Sequence, residues 1–333
     1  MDARFSSLTT RREILKTGGV IFGAGLLAGV IPNRLIAGQQ STSSGQSMKD
    51  LGDKIEQMRE QMGKIPLQTL KLRDNVYMLY GPGGNMVALT GPDGKVLVDS
   101  SFSTVAPKLK ESLAALGNPP LKILINTHWH FDHTDGNAAM HETGAIILAH
   151  ENTRKRLSSP QFMPALGLHF PASPADALPE QTFTTDFKLY FNGEELSLAY
   201  FAPAHTDTDI YIRYEKSNVL HMGDIWFNGF YPLIDTGTGG KIDGMIAASE
   251  RGLSLADAET KIVPGHGPVG DKAGLTKYRD MLVTVRDRVK AQKSAGKSLE
   301  EVVAAKPTAD LDPVWGNGFL KPDLFVTFVY NSL

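Results

Sequence analysis

From residue 73 onward, short apolar runs alternate with turn residues. Residues 76–80, 86–90 and 95–99 are bounded by Gly81-Pro82-Gly83-Gly84 and Gly91-Pro92-Asp93-Gly94, which predicts three strands of a β-meander. Leu109, Leu113 and Leu116 fall on one side of a predicted helix, and the near-continuous apolar run 121–125 then reads as a strand buried on both faces. Further strands are predicted at 145–148, in two stretches within 187–201 and 209–214, and at 218–221 and 261–263, with a helix at 245–253 between the last two. Leu275, Tyr278, Leu282, Val285 and Val289 mark a long helix, and the Phe-rich run 315–333 is expected to dock on the body of the fold. A meander followed by mixed strand and helix units predicts an α+β protein with two sheets packed face to face and helices outside. Nothing between residues 65 and 333 reads as an internal linker or a repeat.

The N-terminal stretch has a different pattern. Arg11-Arg12 precede a run from Val20 to Ile31 made only of apolar residues and glycine, followed by Pro32 and Arg34. That run is shorter than the roughly 20 residues a membrane-spanning helix needs, and it resembles the apolar region of a twin-arginine export signal. Residues 1–37 are therefore expected to be a signal peptide, used by the twin-arginine translocase and followed by release into a bacterial periplasm without a stable membrane anchor. Residues 38–64 are expected to form a linker and an amphipathic helix. Gly38 to Ser47 is a Ser, Gln and Gly tract, whereas Met48, Leu51, Ile55, Met58 and Met62 recur at helical spacing. Such a methionine stripe reads first as core packing rather than as a binding surface. Residues 65–333 form the expected catalytic domain.

Composition narrows the chemistry. With 34 Lys plus Arg against 36 Asp plus Glu in 333 residues, the chain has a net charge of −2 and no basic excess that would suggest nucleic acid. Cleavage near Ala37 removes five basic and two acidic residues, leaving 29 against 34 and a net charge of −5. The absence of cysteine excludes disulfides, thiolate metal sites and a thiol nucleophile, so any metal site uses nitrogen and oxygen. Nine histidines become the residues to locate.

Three of the histidines, with an aspartate, make four metal-capable side chains together in Thr127-His128-Trp129-His130-Phe131-Asp132-His133, directly after the buried strand 121–125. Extended backbone puts His128 and His130 on one side, and a turn beginning at Asp132 can aim Asp132 and His133 at a second point. Three more candidates follow apolar runs in turn-rich settings: His205 in Pro-Ala-His-Thr, Asp224 in Met-Gly-Asp-Ile and His266 in Pro-Gly-His-Gly. With these residues in this order, the sequence over roughly 70–290 resembles the metallo-β-lactamase superfamily hydrolases. The resemblance implies a four-layer αββα sandwich with two metal ions at one edge between the sheets. It implies His128, His130 and His205 on one zinc, Asp132, His133 and His266 on the other, and Asp224 bridging. It also implies that Asp99, at the end of its strand, orients a ligand from behind. His141, His150, His169 and His221 lie outside the pattern and read as ordinary residues.

Two divalent cations about 3.5–4 Å apart share a water whose pKa zinc lowers to roughly 7, and the bridging hydroxide attacks a carbonyl or phosphoryl centre. Asp132 also offers a carboxylate oxygen to orient that nucleophile or take its proton. Zinc is the expected metal, with iron or manganese compatible with the same ligands.

Substrate signals are thinner. Many class B β-lactamases carry Cys at the station of Asp224 and Lys three residues later, where this chain has Phe227; some related lactonases carry Tyr there. Trp129, Phe131, Trp226, Phe227, Phe230 and Tyr231 stand beside candidate ligands and are candidate walls of an apolar substrate pocket, plain core packing being the other reading. Residues 235–240, Asp-Thr-Gly-Thr-Gly-Gly, read as a flexible loop over the site or a simple turn. The expected activity is an exported dinuclear zinc hydrolase of amide or ester-like bonds in a small molecule, β-lactams and lactones first. The alternatives are a glyoxalase II-like thioesterase, an iron-dependent sulfur oxygenase-type redox enzyme, and a periplasmic metal-binding accessory protein.

Overall fold

The computed structural model describes residues 48–333 except 164, 165 and 202, with side chains described from Lys54 onward. The export signal and the Ser/Gln/Gly tract lie outside the described residues. Helix α1 (Met48–Lys64) leads into a seven-stranded sheet of β1 (Gln68–Lys71), β2 (Val76–Tyr80), β3 (Met86–Gly91), β4 (Gly94–Val98), β5 (Leu121–Ile125), β6 (Ile146–His150) and β9 (Gln181–Phe183), in that spatial order. The first four strands are antiparallel, as their short turns require. From β4 the sheet becomes parallel, and helix α2 (Ala106–Ala115) supplies the crossover to β5. The second sheet has the order β10 (Asp186–Phe191), β11 (Glu194–Tyr200), β12 (Ile210–Tyr214), β13 (Val219–His221) and β14 (Lys261–Val263).

Period-two alternation sorts each strand between two cores. Val87 and Leu89 of β3 and Val96 and Val98 of β4 face the intersheet core, where they meet Leu196, Leu198, Ile212 and Val263. Met86, Ala88 and Leu97 point the other way, against Leu109 and Leu113 of α2. On the far side of the second sheet, Tyr211, Leu220 and Ile262 pack with helices α6 (Ile242–Leu255), α7 (Lys272–Ser294) and α10 (Pro322–Ser332). The result is the four-layer αββα sandwich that the resemblance implies, with the two face-to-face sheets and outer helices that the pattern predicts.

Several elements differ from the sequence expectation. The stretch 187–201 is a hairpin, because Asn192-Gly193 adopt φ of +54° and +70° and reverse the chain between β10 and β11. Asp99 lies outside its strand, at φ +62°, so its carboxyl leaves the sheet instead of continuing the alternation. Strands β1 and β9, and a separate hairpin of β7 (Gln161–Met163) and β8 (Leu168–Phe170), were too short or too irregular to show a period. The C-terminal run becomes α10, whose Phe325, Phe328 and Val329 are buried with α7. No helix of the described residues is long and apolar enough to cross a membrane.

Candidate metal centre

The seven candidate ligands all leave strands at one edge of the sandwich. His128 and His130 follow β5, and Asp132 and His133 sit on the helical turn Phe131–Thr134 (α3). His205 lies in the β11–β12 connection, Asp224 follows β13, and His266 follows β14. The structure brings them into two groups: His128, His130, His205 and Asp224, and Asp132, His133 and His266, the donor atoms within each group lying within 4.8 Å of one another. Asp224 joins the groups. Its carboxylate oxygens lie 3.1 Å from His133 Nε2, 3.4 Å from the Nε2 atoms of both His205 and His266, and 3.8 Å from His128 Nε2.

Four of the five imidazoles are aimed by a bond to their other ring nitrogen. Asp99, fully buried, accepts from the Thr127 amide at 2.8 Å, from the Thr127 hydroxyl at 2.7 Å and from His133 Nδ1 at 2.8 Å. Because the Thr127 proton goes to Asp99, its oxygen accepts from His128 Nδ1 at 3.0 Å. One carboxylate thus orients two histidines and leaves both Nε2 atoms facing inward. His205 donates from Nδ1 to the Leu233 carbonyl at 2.8 Å. His130 is reversed: its Nε2 donates to Asp235 at 3.1 Å, and its Nδ1 faces His205 Nε2 at 2.8 Å.

Asp235 is the functional residue that the sequence did not reveal. Residues 235–240 are a turn whose Asp235 and Thr238 are buried: the Asp235 side chain accepts from Gly237 N and from the Thr238 hydroxyl, and that hydroxyl accepts from Trp129 Nε1. The available signal was the Asp-Thr-Gly order, which favours a side-chain cap, but no local pattern ties it to a histidine 105 residues away.

Two glycines permit close approach. A Cβ on Gly84 would enter the His133 ring, and one on Gly265 would meet the Asp224 carboxylate. Asn85 joins the two loops, donating through its amide group to the carbonyls of Pro264 at 3.0 Å and Gly267 at 2.8 Å, and so holds His266 in place.

Electrostatics separate the two groups. Burial, together with the neighbouring His133, pushes His128 well below the usual imidazole range, and burial lowers His205 to about 4. Burial also opposes charge on His133 and His266, yet the carboxylates of Asp224 and Asp132 outweigh it and raise His133 well above the usual range and His266 to about 9. Conversely, burial would raise Asp132, but His133 and His266 draw it down to about 2.

The residues fit divalent metal ions. The donors are imidazole nitrogens and carboxylate oxygens, and His128 Nε2 is buried without a hydrogen-bond partner, a situation that costs about 1–3 kcal/mol unless something binds it.

Above the centre lies a cavity of about 200 Å³ whose floor includes His130, Asp132, Asp224 and His266. Phe131 and Phe227 line it, as the apolar-wall reading expects. Trp129, Trp226 and Tyr231 do not: they are 2%, 0% and 0% exposed and belong to the helix-side core. Tyr231 stacks on Phe325 at 4.6 Å and donates to Asp312, so its ring is spent on packing. Phe230 packs beside Phe319 and Phe227 at the rim. The methionine stripe serves both readings: Ile55 is buried in the helix-side core with Met58 packed against it, and Met58 and Met62 also line the cavity.

A sandwich of this architecture, with two His/Asp groups at its edge, defines a metal-site fold of hydrolases. Residues 79–287 match the Metallo-beta-lactamase superfamily, and the chain belongs to that superfamily. A probable metallo-hydrolase of Methanocaldococcus jannaschii is 29% identical over 199 residues, which is 58% of this chain and 92% of that relative. Among solved structures, a metallo-β-lactamase from Pontibacter korlensis superposes with a TM-score of 0.52 at 20% identity, covering 65% of this chain and 99% of that one. The sec-alkylsulfatase Pisa1 from Pseudomonas sp. superposes with a TM-score of 0.63 at 17% identity, covering 79% of this chain and 50% of that one. Those two likenesses are likenesses of fold. The chain is a metallo-hydrolase of the superfamily with His/Asp groups that could hold metal ions.

Proposed function

We propose that the chain is an exported dinuclear zinc hydrolase that cleaves an amide or ester-like bond in a small molecule with an apolar body. The observation that carries this reading is the convergence of seven nitrogen and oxygen donors beside an apolar cavity, four of the seven residues lining it, with four of the five imidazoles aimed by a bond to their second nitrogen. In this reading His128, His130 and His205 would hold one ion and Asp132, His133 and His266 the other, and Asp224 would serve both. Bound zinc would polarise the bond under attack and make water acidic enough to ionise near neutral pH.

The chain's own residues do the rest. Asp132 has a side chain 22% exposed and stays ionised far below neutral pH, so its carboxylate can orient an attacking water and accept its proton. Asp99, Thr127 and Asp235 hold the imidazoles so that they need not reorganise during reaction. Phe131 and Phe227 exclude water from the reacting bond. The alkylsulfatase likeness favours a second reading, a sulfate ester with an apolar alkyl group, because the cavity would suit the same organic body.

The test is metal content by plasma mass spectrometry on natively exported protein, with a turnover screen of lactones, nitrocefin, thioesters, carboxylic esters and alkyl sulfates on the same sample. About two zinc per chain with turnover supports the hydrolase and ranks substrates. Iron with oxygen uptake would replace the hydrolase by the redox reading, and metal without any turnover by the accessory-protein reading.

A further inference from the structure

We infer that α1 is a wall of the substrate site that selects for an uncharged apolar substituent, and that the Arg59–Asp135 ion pair positions it. This takes its reacting bond from the hydrolase reading above. The helix α1 lines the cavity with Lys54, Gln57, Met58, Gln61 and Met62, its two methionines supplying the apolar part, and it adjoins the β7–β8 hairpin, which contributes Met163, Leu168 and Phe170. Phe319, close to the C-terminus, and Phe102 close the remaining gaps. Among the described residues lining the cavity, Lys54 is the single Lys or Arg, so an anionic substrate body would find little to neutralise it there. A methylene takes roughly the ~30 Å³ share of a liquid water molecule, so a cavity of about 200 Å³ holds about six or seven carbons.

The wall is tied to the ligand loop. Arg59 meets Asp135 in a two-pronged contact, Nε to Oδ2 at 3.0 Å and Nη2 to Oδ1 at 2.5 Å, and Asp135 lies three residues after the ligand Asp132. Asp135 also accepts from Ser103 N at 2.8 Å. The Thr104 hydroxyl donates to the Arg59 carbonyl at 2.5 Å, and Lys108 Nζ donates to the carbonyls of Gly63 and Ile65 at the end of α1. A planar guanidinium held at two points fixes the angle of α1 as well as its distance. Methionine thioethers on that helix then offer a compliant apolar surface.

The experiment pairs binding with turnover. Full-length chelator-treated protein is titrated with the uncharged fluorophore N-phenyl-1-naphthylamine, which 1-alkanols of four to ten carbons then displace. The expected result is about fourfold tighter binding per added methylene, levelling near seven carbons. In Met62→Trp the plateau moves to shorter alkanols, and Met58→Gln, which keeps volume, weakens every alkanol. With zinc restored, Arg59→Ala should raise KM several-fold more for a hexanoyl ester than for the acetyl ester, and Arg59→Lys should recover part of the loss. Affinity independent of chain length, or unchanged in both methionine variants, would overturn the inference, as would an Arg59→Ala effect equal on hexanoyl and acetyl esters. Chain-length-dependent binding without turnover of any ester supports the apolar wall and overturns only the hydrolase reading.

Discussion

The two donor groups share Asp224 but sit in opposite electrostatic surroundings. Around His128 and His205, burial dominates and holds the imidazoles neutral, the form that binds a metal without losing a proton. Around His133 and His266, three nearby carboxylates overcome burial and favour the protonated ring. Bringing together the same residue types therefore produces one group ready for a cation and one that must exchange protons for it. The support differs as well: Asp99 reaches both groups, directly through His133 and through Thr127 to His128, whereas Asp235 reaches only His130.

Removing the shared ligand should have the largest effect. Asp224→Asn is expected to release metal from both groups and lower turnover on the order of a thousandfold, because an uncompensated histidine cluster remains; metal retention near two per chain would refute the bridging role. Asp132→Asn should lower turnover by about 10²–10⁴ while the ion held by His128, His130 and His205 stays bound, since the anionic proton acceptor is lost but that donor set is intact. Unchanged kcat with normal metal content would remove Asp132 from the mechanism.

The supporting carboxylates sharpen the contrast. Asp235→Asn should weaken metal binding about 10–100-fold at one group only, whereas Asp99→Asn should weaken both. Competition with a calibrated chelator would show one displaced transition in the first case and two in the second. Identical profiles would mean that the buried hydrogen bonds do not partition as the geometry indicates.

The smallest effect concerns acidity in the chelator-treated protein. His205, lowered to about 4, makes the unfolded chain the better proton binder, so stability is lost as pH falls from about 6.5 toward 4. His266, raised to about 9, makes the folded chain the better binder, so its contribution is present below about pH 6.5 and is lost as pH rises toward 9. Thermal melts should show a maximum near pH 6.5, and zinc should remove the alkaline decline by replacing the proton. A monotonic profile would show that the two groups do not have opposite proton preferences.

Much of this was legible before folding because some signals are local. The alternation of β3 and β4, the helical stripe of α7 and the His-x-His-x-Asp-His run each arise within a few residues. The pocket was less legible: Trp226 and Phe227 are neighbours in sequence, yet one packs against Gly270 and Gly274 while the other faces the cavity. Which side of the chain lines the cavity there depends on α7 and the loop after β14, elements tens of residues away.

Residue types, their order and their short spacings were enough to predict two sheets packed face to face with helices outside and a cluster of nitrogen and oxygen ligands, since backbone periodicity and metal chemistry act over a turn or a strand; the αββα layering was implied by the family resemblance that those residues carry. Only the folded chain decided which ring nitrogen faces the centre, which carboxylate stands behind each histidine, and that α1 walls the cavity. Those outcomes depend on contacts such as His130 with Asp235 and Arg59 with Asp135, 105 and 76 residues apart, which exist only when the two sheets and their covering helices pack together.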